Sequence, residues 1–260
     1  MSFFSIITIT LNDVDGLRTT RRSIEEQSCN DFEWIVIDGG STDGTVNDLR
    51  AYQPPYMSYV SEKDRGLYDA MNKGLAHSRG QYVIFMNSAD CFCNSEVLEK
   101  TKRRVLETGS KPGIVFGDAL ERTGDGNFLL KKARRIQWLN YGMHTHHQAI
   151  FYARESLIGI HFDESFKVAA DYDLTCRVYL RAQFPLELGF PVCIFSRGGL
   201  SEKKSHIGRK ENWRVQREVL GHSLKRRLMT RSAYLISFFV RSSLRSLYDR
   251  IRFEGSHGSS

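Results

Sequence analysis

The sequence lacks the two features that would carry it into or across a membrane. Its longest late apolar run, 233–240, is far shorter than the roughly 20 residues that a spanning helix needs. The first eight residues contain no basic segment and no small-residue cleavage site, so we expect no secretory signal. The sequence therefore predicts no membrane-crossing segment.

Cysteine is also scarce, with five residues in a chain of 260. Only Cys91 and Cys93 lie close together, and their spacing fits neither a zinc knuckle nor a redox dithiol. Reduced thiols in a cytosolic protein are therefore expected.

Charge is unbalanced, because the formal net charge is +7. A positive excess attracts an anionic partner, which includes nucleic acid, a nucleotide and an acidic membrane surface. Charge alone does not choose among these partners.

What is present is a globular composition with a regular alternation of elements. With 41% hydrophobic residues, the chain can bury one large core or two modest ones. Strand patterns at 4–10, 32–37, 57–61 and 82–86 alternate with helical patterns at 17–27, 45–52, 67–77 and 95–107. This alternation predicts an α/β fold with a mostly parallel central sheet flanked by helices.

The second half follows another pattern. A strand is predicted at 114–116, a hairpin at 118–130 and a helix at 171–181, and the last fifty residues read as helical. We therefore expect an antiparallel portion followed by a helical C-terminal extension. No linker divides the chain into independent domains.

Acidic residues stand where three of the predicted strands end. Asp38 and Asp90 follow apolar strands, and Asp64 follows a shorter one. Ligands of open α/β sheets bind at the carboxyl ends of the strands. The three acids therefore suggest one cleft for a cation and a phosphorylated ligand.

These acids belong to a longer series of motifs. The stretches that carry the pattern are 10–12, 38–45, 62–74, 87–90, 117–119, 147–151 and 170–173. Together they resemble family 2 glycosyltransferases, which are inverting enzymes with the GT-A fold. The chain is most similar to the bacterial colanic-acid and O-antigen type, and the resemblance extends to about residue 200.

The resemblance implies a nucleotide-sugar donor and names the residues that would hold it. Those residues are Thr10, Asn12 and Asp38 around the nucleoside, Asp64, Arg65 and Asn72 near the ribose and phosphates, and Ser88 and Asp90 in the motif 87–90. Asp38 is expected to present an exposed carboxylate on its loop, although an Asx-type turn is the alternative. Asp43 is better suited to capping the helix at Thr45.

A divalent metal, Mn²⁺ or Mg²⁺, is the implied cofactor. Family members usually carry an Asp-x-Asp pair, whereas this chain has one carboxylate, Asp90, in Asn87-Ser88-Ala89-Asp90. Oxygen ligands suit both metals, so Asp90 is the predicted metal ligand. The alternative is that Asp90 only caps the turn before Phe92.

The base that the resemblance implies is an acid at the start of a helix. Asp171 matches that position, with Asp173 as the predicted cap of the same helix. The alternatives are that both acids only favour the positive end of the helix dipole, or that Asp173 is the base. By the same resemblance, His147 and Gln148 are expected to line the acceptor side or support the base, and the nearby histidines complete no familiar zinc spacing.

Basic residues outnumber acids from residue 202 onward and interleave with apolar ones. This pattern predicts amphipathic helices at an anionic membrane, and the alternative is a solvated face that caps the core. The expected division is 1–200 for catalysis, with a nucleotide-sugar half at 1–110 and an acceptor half at 111–200, then a basic extension at 201–254 and a tail at 255–260.

The function expected from all of this is transfer of a sugar, by default from a UDP-sugar, to a lipid-linked or polysaccharide acceptor of a surface glycan. The enzyme would act in the cytoplasm, peripherally at the inner face of the plasma membrane. A non-catalytic nucleotide-sugar scaffold is the rival, because the second metal carboxylate is missing. Nucleic acid is not an expected partner, since no reader motif or stacking platform is present.

Overall fold

The protein is described from a computed structural model, which covers residues 1–123, 126–196, 205–229 and 232. The strands are β1 (Phe4–Thr10), β2 (Phe32–Asp38), β3 (Met57–Ser61), β4 (Tyr82–Phe85), β5 (Cys91–Phe92), β6 (Ile114–Arg122), β7 (Phe128–Lys131), β8 (Ile150–Ala153) and β9 (Pro185–Ser196). The helices are α1 (Val14–Glu25), α2 (Thr45–Ala51), α3 (Leu67–His77), α4 (Val97–Glu107), α5 (Ala170–Arg181) and α6 (Ser205–Glu218). Residues 224–229 are also helical.

One sheet holds these strands in the order β3-β2-β1-β4-β8-β6-β9-β5, with β7 paired to β6. The first four run parallel, because each is linked to the next by a helix. β8 is antiparallel to both β4 and β6, and β9 returns parallel to β6. The predicted parallel centre with an antiparallel second portion is therefore confirmed.

Both faces of the sheet are buried, which explains why its central strands are apolar almost throughout. One core contains Ile7 and Ile35 together with side chains from α3, α5 and α6. The other contains Ile6 and Trp34 together with side chains from α1 and α4. Alternate residues of each strand thus enter opposite cores.

The helix α3 approaches β1 unusually closely. A Cβ atom at Gly74 would lie 2.4 Å from Cγ2 of Ile7, so only glycine fits between this helix and the strand. This approach fixes the position of α3 and of the polar residues at its start.

The strand β9 was not predicted from the sequence, and neither was β5. Gly189 interrupts β9 with a φ of 75°, and the pairing with β6 shifts register between Phe116 and Ala119. Such a bulge breaks the period of two on which strand prediction depends.

The C-terminal region is only partly described. No helix within the described residues is both long enough and apolar enough to span a bilayer. Residues 233–254 and the tail 255–260, on which the membrane prediction largely depends, lie outside them.

Candidate active site

The carboxyl ends of β1 and β2 are tied together by hydrogen bonds. The backbone N–H of Asn12 donates to Oγ of Ser41 at 2.7 Å, and the N–H of Thr42 donates to Oδ1 of Asn12 at 2.8 Å. Asn12 adopts a left-handed φ of 51°, which asparagine tolerates better than most residues. The carboxyl ends of β1 and β2 therefore form one continuous, hydrogen-bonded edge of the sheet.

Thr10, the last residue of β1, lies on the buried side of this edge. Its hydroxyl is buried and has no hydrogen-bond partner. A buried hydroxyl without a partner costs free energy unless a bound group satisfies it. Thr10 thus keeps an unused hydrogen-bonding group at the end of β1.

Asp38 differs from its prediction, because its carboxylate is fully buried rather than exposed. Its oxygens accept hydrogen bonds from Oγ of Ser61 at 2.6 Å, from the N–H groups of Gly40 and Ser41, and from Oγ of Ser41. This is the Asx-type turn considered as the alternative. Asp38 organises the loops after β2 and β3, and its contact with a nucleoside stays a prediction.

Asp43 was predicted to cap the helix at Thr45; the N-cap residue is Gly44, and Asp43 bonds to the helix start from one residue before it. Its carboxylate accepts from the N–H and the hydroxyl of Thr45 at 3.0 and 2.6 Å, and from the N–H of Val14 at 3.0 Å. One side chain thereby stabilises the starts of α1 and α2.

Asp64 lies beside this edge and is held by Lys73. The Lys73 ammonium is 2.6 Å from Asp64 and 2.8 Å from Glu62. Partial burial works against the charged ammonium, but these two hydrogen bonds outweigh it and raise the pKa of Lys73. Lys73 is therefore a fixed cation next to the predicted phosphate-binding residue.

Arg65 and Asn72 both reach toward the segment after β8. Arg65 forms ion pairs with Asp69 at 2.8 Å and with Glu164 at 2.9 Å. The amide of Asn72 donates to the carbonyl of Phe162 at 3.0 Å and accepts from its N–H at 2.8 Å. Both residues hold neighbouring segments together here, and their contact with ribose or phosphate stays a prediction.

The loop after β4 carries Asp90 in a buried position. The Nε2 amide of Gln148 donates to its carboxylate at 2.8 Å, and the hydroxyl of Ser88 donates to Asp13 at 2.8 Å. Burial raises the pKa of Asp90 to about 7, although the hydrogen bond from Gln148 opposes this. The positive φ of Ala89, 70°, gives the loop its tight shape.

The atoms around Asp90 have the donor chemistry of a magnesium or manganese site. The side-chain oxygens of Asn87 and Gln148 are buried and have no hydrogen-bond partner. Hard divalent cations bind carboxylate and amide oxygens. Among the described residues, no group of three or more His, Cys, Asp and Glu side chains is arranged for a metal, so Asp90 would need help from amide oxygens, water or phosphate.

Asp171 lies in the first turn of α5, as predicted. Its side chain is 24% exposed, and Oδ1 accepts from the N–H of Tyr172 at 2.8 Å. Burial is the main cause that raises its pKa to about 6, and the charge of Glu211 acts in the same direction. Asp171 is therefore largely ionised at pH 7 and still basic enough to accept a proton.

His147 connects Asp171 to the loop of Asp90. Its Nδ1 lies 3.7 Å from Oδ2 of Asp171, and its Nε2 lies 3.3 Å from Nδ2 of Asn87. Burial lowers the pKa of His147 to about 4, so the ring is neutral. Because the Asn87 amide donates to Nε2, the ring proton is assigned to Nδ1, on the side of Asp171.

The adjacent residues His147 and Gln148 thus contact the two carboxylates of interest, Asp171 and Asp90. This brings the end of β4 and the start of α5 to one side of the sheet. Gln148 was expected on the acceptor side or behind the base, whereas its amide bonds to Asp90, a partner 58 residues away that it meets only through the fold.

Asp173 was predicted to cap α5, and that prediction is wrong. The helix N-cap is Ala169, and Asp173 is buried in the first turn, where it pairs with Arg177. A cavity of about 410 Å³ beside that pair is lined by neither Asp171 nor Asp90. Asp173 therefore lies on a different side of α5 from Asp171.

The other histidines have separate surroundings. The ring of His144 packs edge-on against Phe116, with centroids 4.5 Å apart. The ring of His146 stacks on Phe195, and its Nε2 is 3.2 Å from Glu121. The three neighbouring histidines therefore do not act as one cluster.

Comparison with known proteins identifies what this arrangement resembles. The family model described as glycosyl transferase family 2 matches residues 5–162. A PGL/p-HBAD biosynthesis glycosyltransferase of Mycobacterium bovis (BCG) is 32% identical over 181 residues, which cover 68% of this chain and 69% of the relative.

Two solved structures share the fold. Staphylococcus aureus TarS 1–349, solved in complex with UDP-GlcNAc, superposes with a TM-score of 0.69 at 21% identity, and the match covers 84% of this chain and 65% of that one. The mannosyltransferase PcManGT of Pyrobaculum calidifontis, solved with GDP-Man and Mn²⁺, gives a TM-score of 0.60 at 16% identity over 95% of this chain and 83% of that one. These similarities confirm the predicted GT-A-like architecture.

Proposed function

The chain belongs to glycosyl transferase family 2, and from that membership we propose that it transfers one sugar, with inversion, from a nucleoside diphosphate sugar to a lipid-linked or polysaccharide acceptor. The observation that carries the proposal is the pair His147 and Gln148, whose side chains contact Asp171 and Asp90. A base and a phosphate-side carboxylate joined in this way suit an in-line displacement.

In this mechanism Asp171 is the catalytic base. It takes the proton of the acceptor hydroxyl while that oxygen bonds to the sugar carbon, and the bond from that carbon to the diphosphate oxygen breaks on the opposite face. A pKa of about 6 leaves Asp171 ionised at neutral pH. The neutral ring of His147, held by Asn87, orients the carboxylate.

The donor would lie along the edge formed by β1 and β2. Thr10, Asn12 and Asp38 are proposed for the nucleoside, and the unpartnered hydroxyl of Thr10 supports this. Asp64, Arg65, Asn72 and Ser88 are proposed for the ribose and phosphates. UDP is the default nucleotide, because TarS, which shares the fold, was solved with UDP-GlcNAc.

Asp90 would hold Mn²⁺ or Mg²⁺, with the amide oxygen of Asn87 as a second candidate ligand. Such an ion offsets the charge that develops on the departing diphosphate. The structure of PcManGT was solved with Mn²⁺, which supports a divalent ion in this fold.

The acceptor is proposed to be a lipid-linked glycan of the cell surface, such as O-antigen, capsule or exopolysaccharide. The mycobacterial relative is likewise named as a biosynthetic glycosyltransferase, for PGL/p-HBAD. Leu224, Leu228 and Met229 are exposed beside basic residues in the helical segment 224–229. That surface suits an anionic membrane, and we propose action at the cytoplasmic face.

A donor screen tests the proposal. The full chain is heated with UDP-, GDP- and dTDP-sugars, each with Mn²⁺, Mg²⁺ or EDTA, and the unfolding temperature and nucleotide release are measured. A bound donor raises the unfolding temperature by mass action. We expect a metal-dependent shift with a UDP-sugar; a GDP- or dTDP-sugar giving the largest shift would overturn the UDP assignment, and no release with any sugar would argue against catalysis.

A further inference from the structure

Glu211, in the helix α6, forms three hydrogen bonds to the backbone that precedes α5. Its carboxylate accepts from the backbone N–H groups of Lys167, Val168 and Ala169 at 2.8, 2.9 and 2.9 Å. These residues lead directly into α5, the helix that carries Asp171.

The start of α5 has no side-chain cap of its own. The N-cap residue is Ala169, which has no polar side chain, and no side-chain cap bond is formed locally. The first N–H groups of a helix need partners from elsewhere. Glu211 supplies the acceptor from a distance of 42 residues in sequence, and the hydroxyl of Tyr68 lies 3.4 Å from the N–H of Ala170.

α6 is fixed against this segment on both sides of Glu211. One turn before it, Gly208 lies so close to Val168 that an added Cβ would be 3.2 Å from Cγ1. One turn after it, Arg214 contacts the ring of Phe166 at 4.3 Å and pairs with Asp163 at 3.1 Å. Residues 208, 211 and 214 share one helical face, so this face as a whole docks on 163–169.

Glu211 also differs in charge from the other titratable groups that face Asp171. Those groups are His147, Tyr68 on α3, Tyr152 on β8, Cys176 on α5 and Glu211 on α6. Burial keeps the first four neutral at pH 7, because it lowers the pKa of the histidine and raises those of the tyrosines and the thiol. Of these five, Glu211 alone carries a charge, and that charge is negative.

We propose that Glu211 is a positioning residue for the base: its carboxylate holds the segment 167–169 and so sets where α5 begins and where Asp171 points. This inference depends on the proposed function only in naming Asp171 as the base. It makes α6 part of the catalytic apparatus.

Two substitutions separate the hydrogen bonds from the charge. Glu211→Gln keeps the length of the side chain but removes the charge and one acceptor oxygen. Glu211→Asp keeps the charge but is one methylene too short to reach all three N–H groups. Glu218→Gln is the matched control, since it removes the same charge from the same helix and its carboxylate pairs with Arg214 and Arg217 rather than with the backbone before α5.

Two readouts need no substrate and use the full chain. Hydrogen exchange of the peptide 163–173 reports the three N–H bonds, and a carbon-13 titration of aspartate carboxyls reports Asp171, whose signal is assigned by its loss in Asp171→Asn. We expect at least about tenfold faster exchange in both Glu211 variants. The Asp171 midpoint should fall by roughly 0.3 pH unit or more in Glu211→Gln and stay near the original value in Glu211→Asp.

Turnover supplies the third readout, with UDP-GlcNAc as the probe and UDP release as the signal. Glu211→Asp should lower kcat by about tenfold or more while UDP affinity stays within about twofold. The proposal is overturned if exchange in the Glu211 variants matches that of Glu218→Gln, or if the kcat of Glu211→Asp equals that of the original chain. A wild-type rate in Asp171→Asn would instead remove the base assignment, and the two failures are therefore distinguishable.

Discussion

Replacing Asp171 with asparagine should sharply lower turnover and stabilise the fold at the same time. Burial raises the pKa of this carboxyl from 3.8 to about 6, so the folded state disfavours the ionised form. A shift of about 2 units corresponds to roughly 3 kcal/mol, since each unit is about 1.4 kcal/mol. Because 24% of the side chain stays exposed to solvent, about 1–3 kcal/mol is the expected range.

The sign of this effect depends on pH. A carboxyl whose folded pKa is raised destabilises the folded state progressively as pH rises from about 4 to about 6, and the penalty is constant above that range. Asparagine carries no charge at any of these pH values and can still accept from the N–H of Tyr172. The gain in stability of Asp171→Asn over the original chain should therefore be near zero at pH 4 and reach its full value by pH 7.

The assay is thermal unfolding of both proteins at half-unit steps from pH 4 to pH 8. For a chain of this size, 1 kcal/mol moves the unfolding temperature by about 2–4 °C, so a difference of several degrees is expected at pH 7. Asp31→Asn is a control of opposite sign, because a hydrogen bond from Lys102 lowers the pKa of Asp31. That variant should lose stability at neutral pH.

Turnover gives the second half of the test. Loss of a general base typically costs 10²- to 10⁴-fold in rate, so UDP release by Asp171→Asn should fall by about a hundredfold or more, with UDP binding retained. A stability difference that is the same at pH 4 and pH 8 would refute the account of the buried carboxylate. Unchanged turnover would refute its role as base.

Three further substitutions test the rest of the site. Thr10→Val should raise the unfolding temperature of the ligand-free protein, because it removes a buried hydroxyl without a partner, and weaken UDP binding by about tenfold in calorimetry, because only a ligand satisfies that hydroxyl. Gln148→Leu should weaken Mn²⁺ binding in a metal titration by about 10- to 100-fold, since it orients Asp90. Asn72→Ala should lower the free energy of unfolding by about 2 kcal/mol in urea, because it loses both bonds to Phe162; unaltered values would contradict each assignment.

The first half of the fold was predictable because its signals are local. The strands at 4–10 and 57–61 and the helix at 67–77 have the predicted bounds, since apolar runs and helical spacing are read within ten residues. β9 was missed because Gly189 and a register shift interrupt its period, and its partner β6 lies some seventy residues earlier. Pairing across that distance leaves no trace in a short window.

The same difference separates the predictable and unpredictable parts of the site. Asp90 and Asp171 were predictable as site residues, because the residues next to them in sequence mark a strand end and a helix start. The burial of Asp38 was not visible, because it depends on Ser61, which joins it only when β2 and β3 pair. Whether an acid is a solvent-facing ligand or the centre of a turn is decided by donors from another element.

In the C-terminal segment, the contacts of Glu211 likewise depend on another element. In the sequence it is one acid within a basic stretch, where charge counting treats it as a minor correction. In the fold, Val215 on the same helix is fully buried with Tyr172 and Leu174 of α5, so α6 shares a core with the helix that carries Asp171. The basic composition of this stretch and the docking of α6 are therefore separate properties: the charge suits an anionic surface, while positions 208, 211, 214 and 215 hold α6 against α5 and the segment before it.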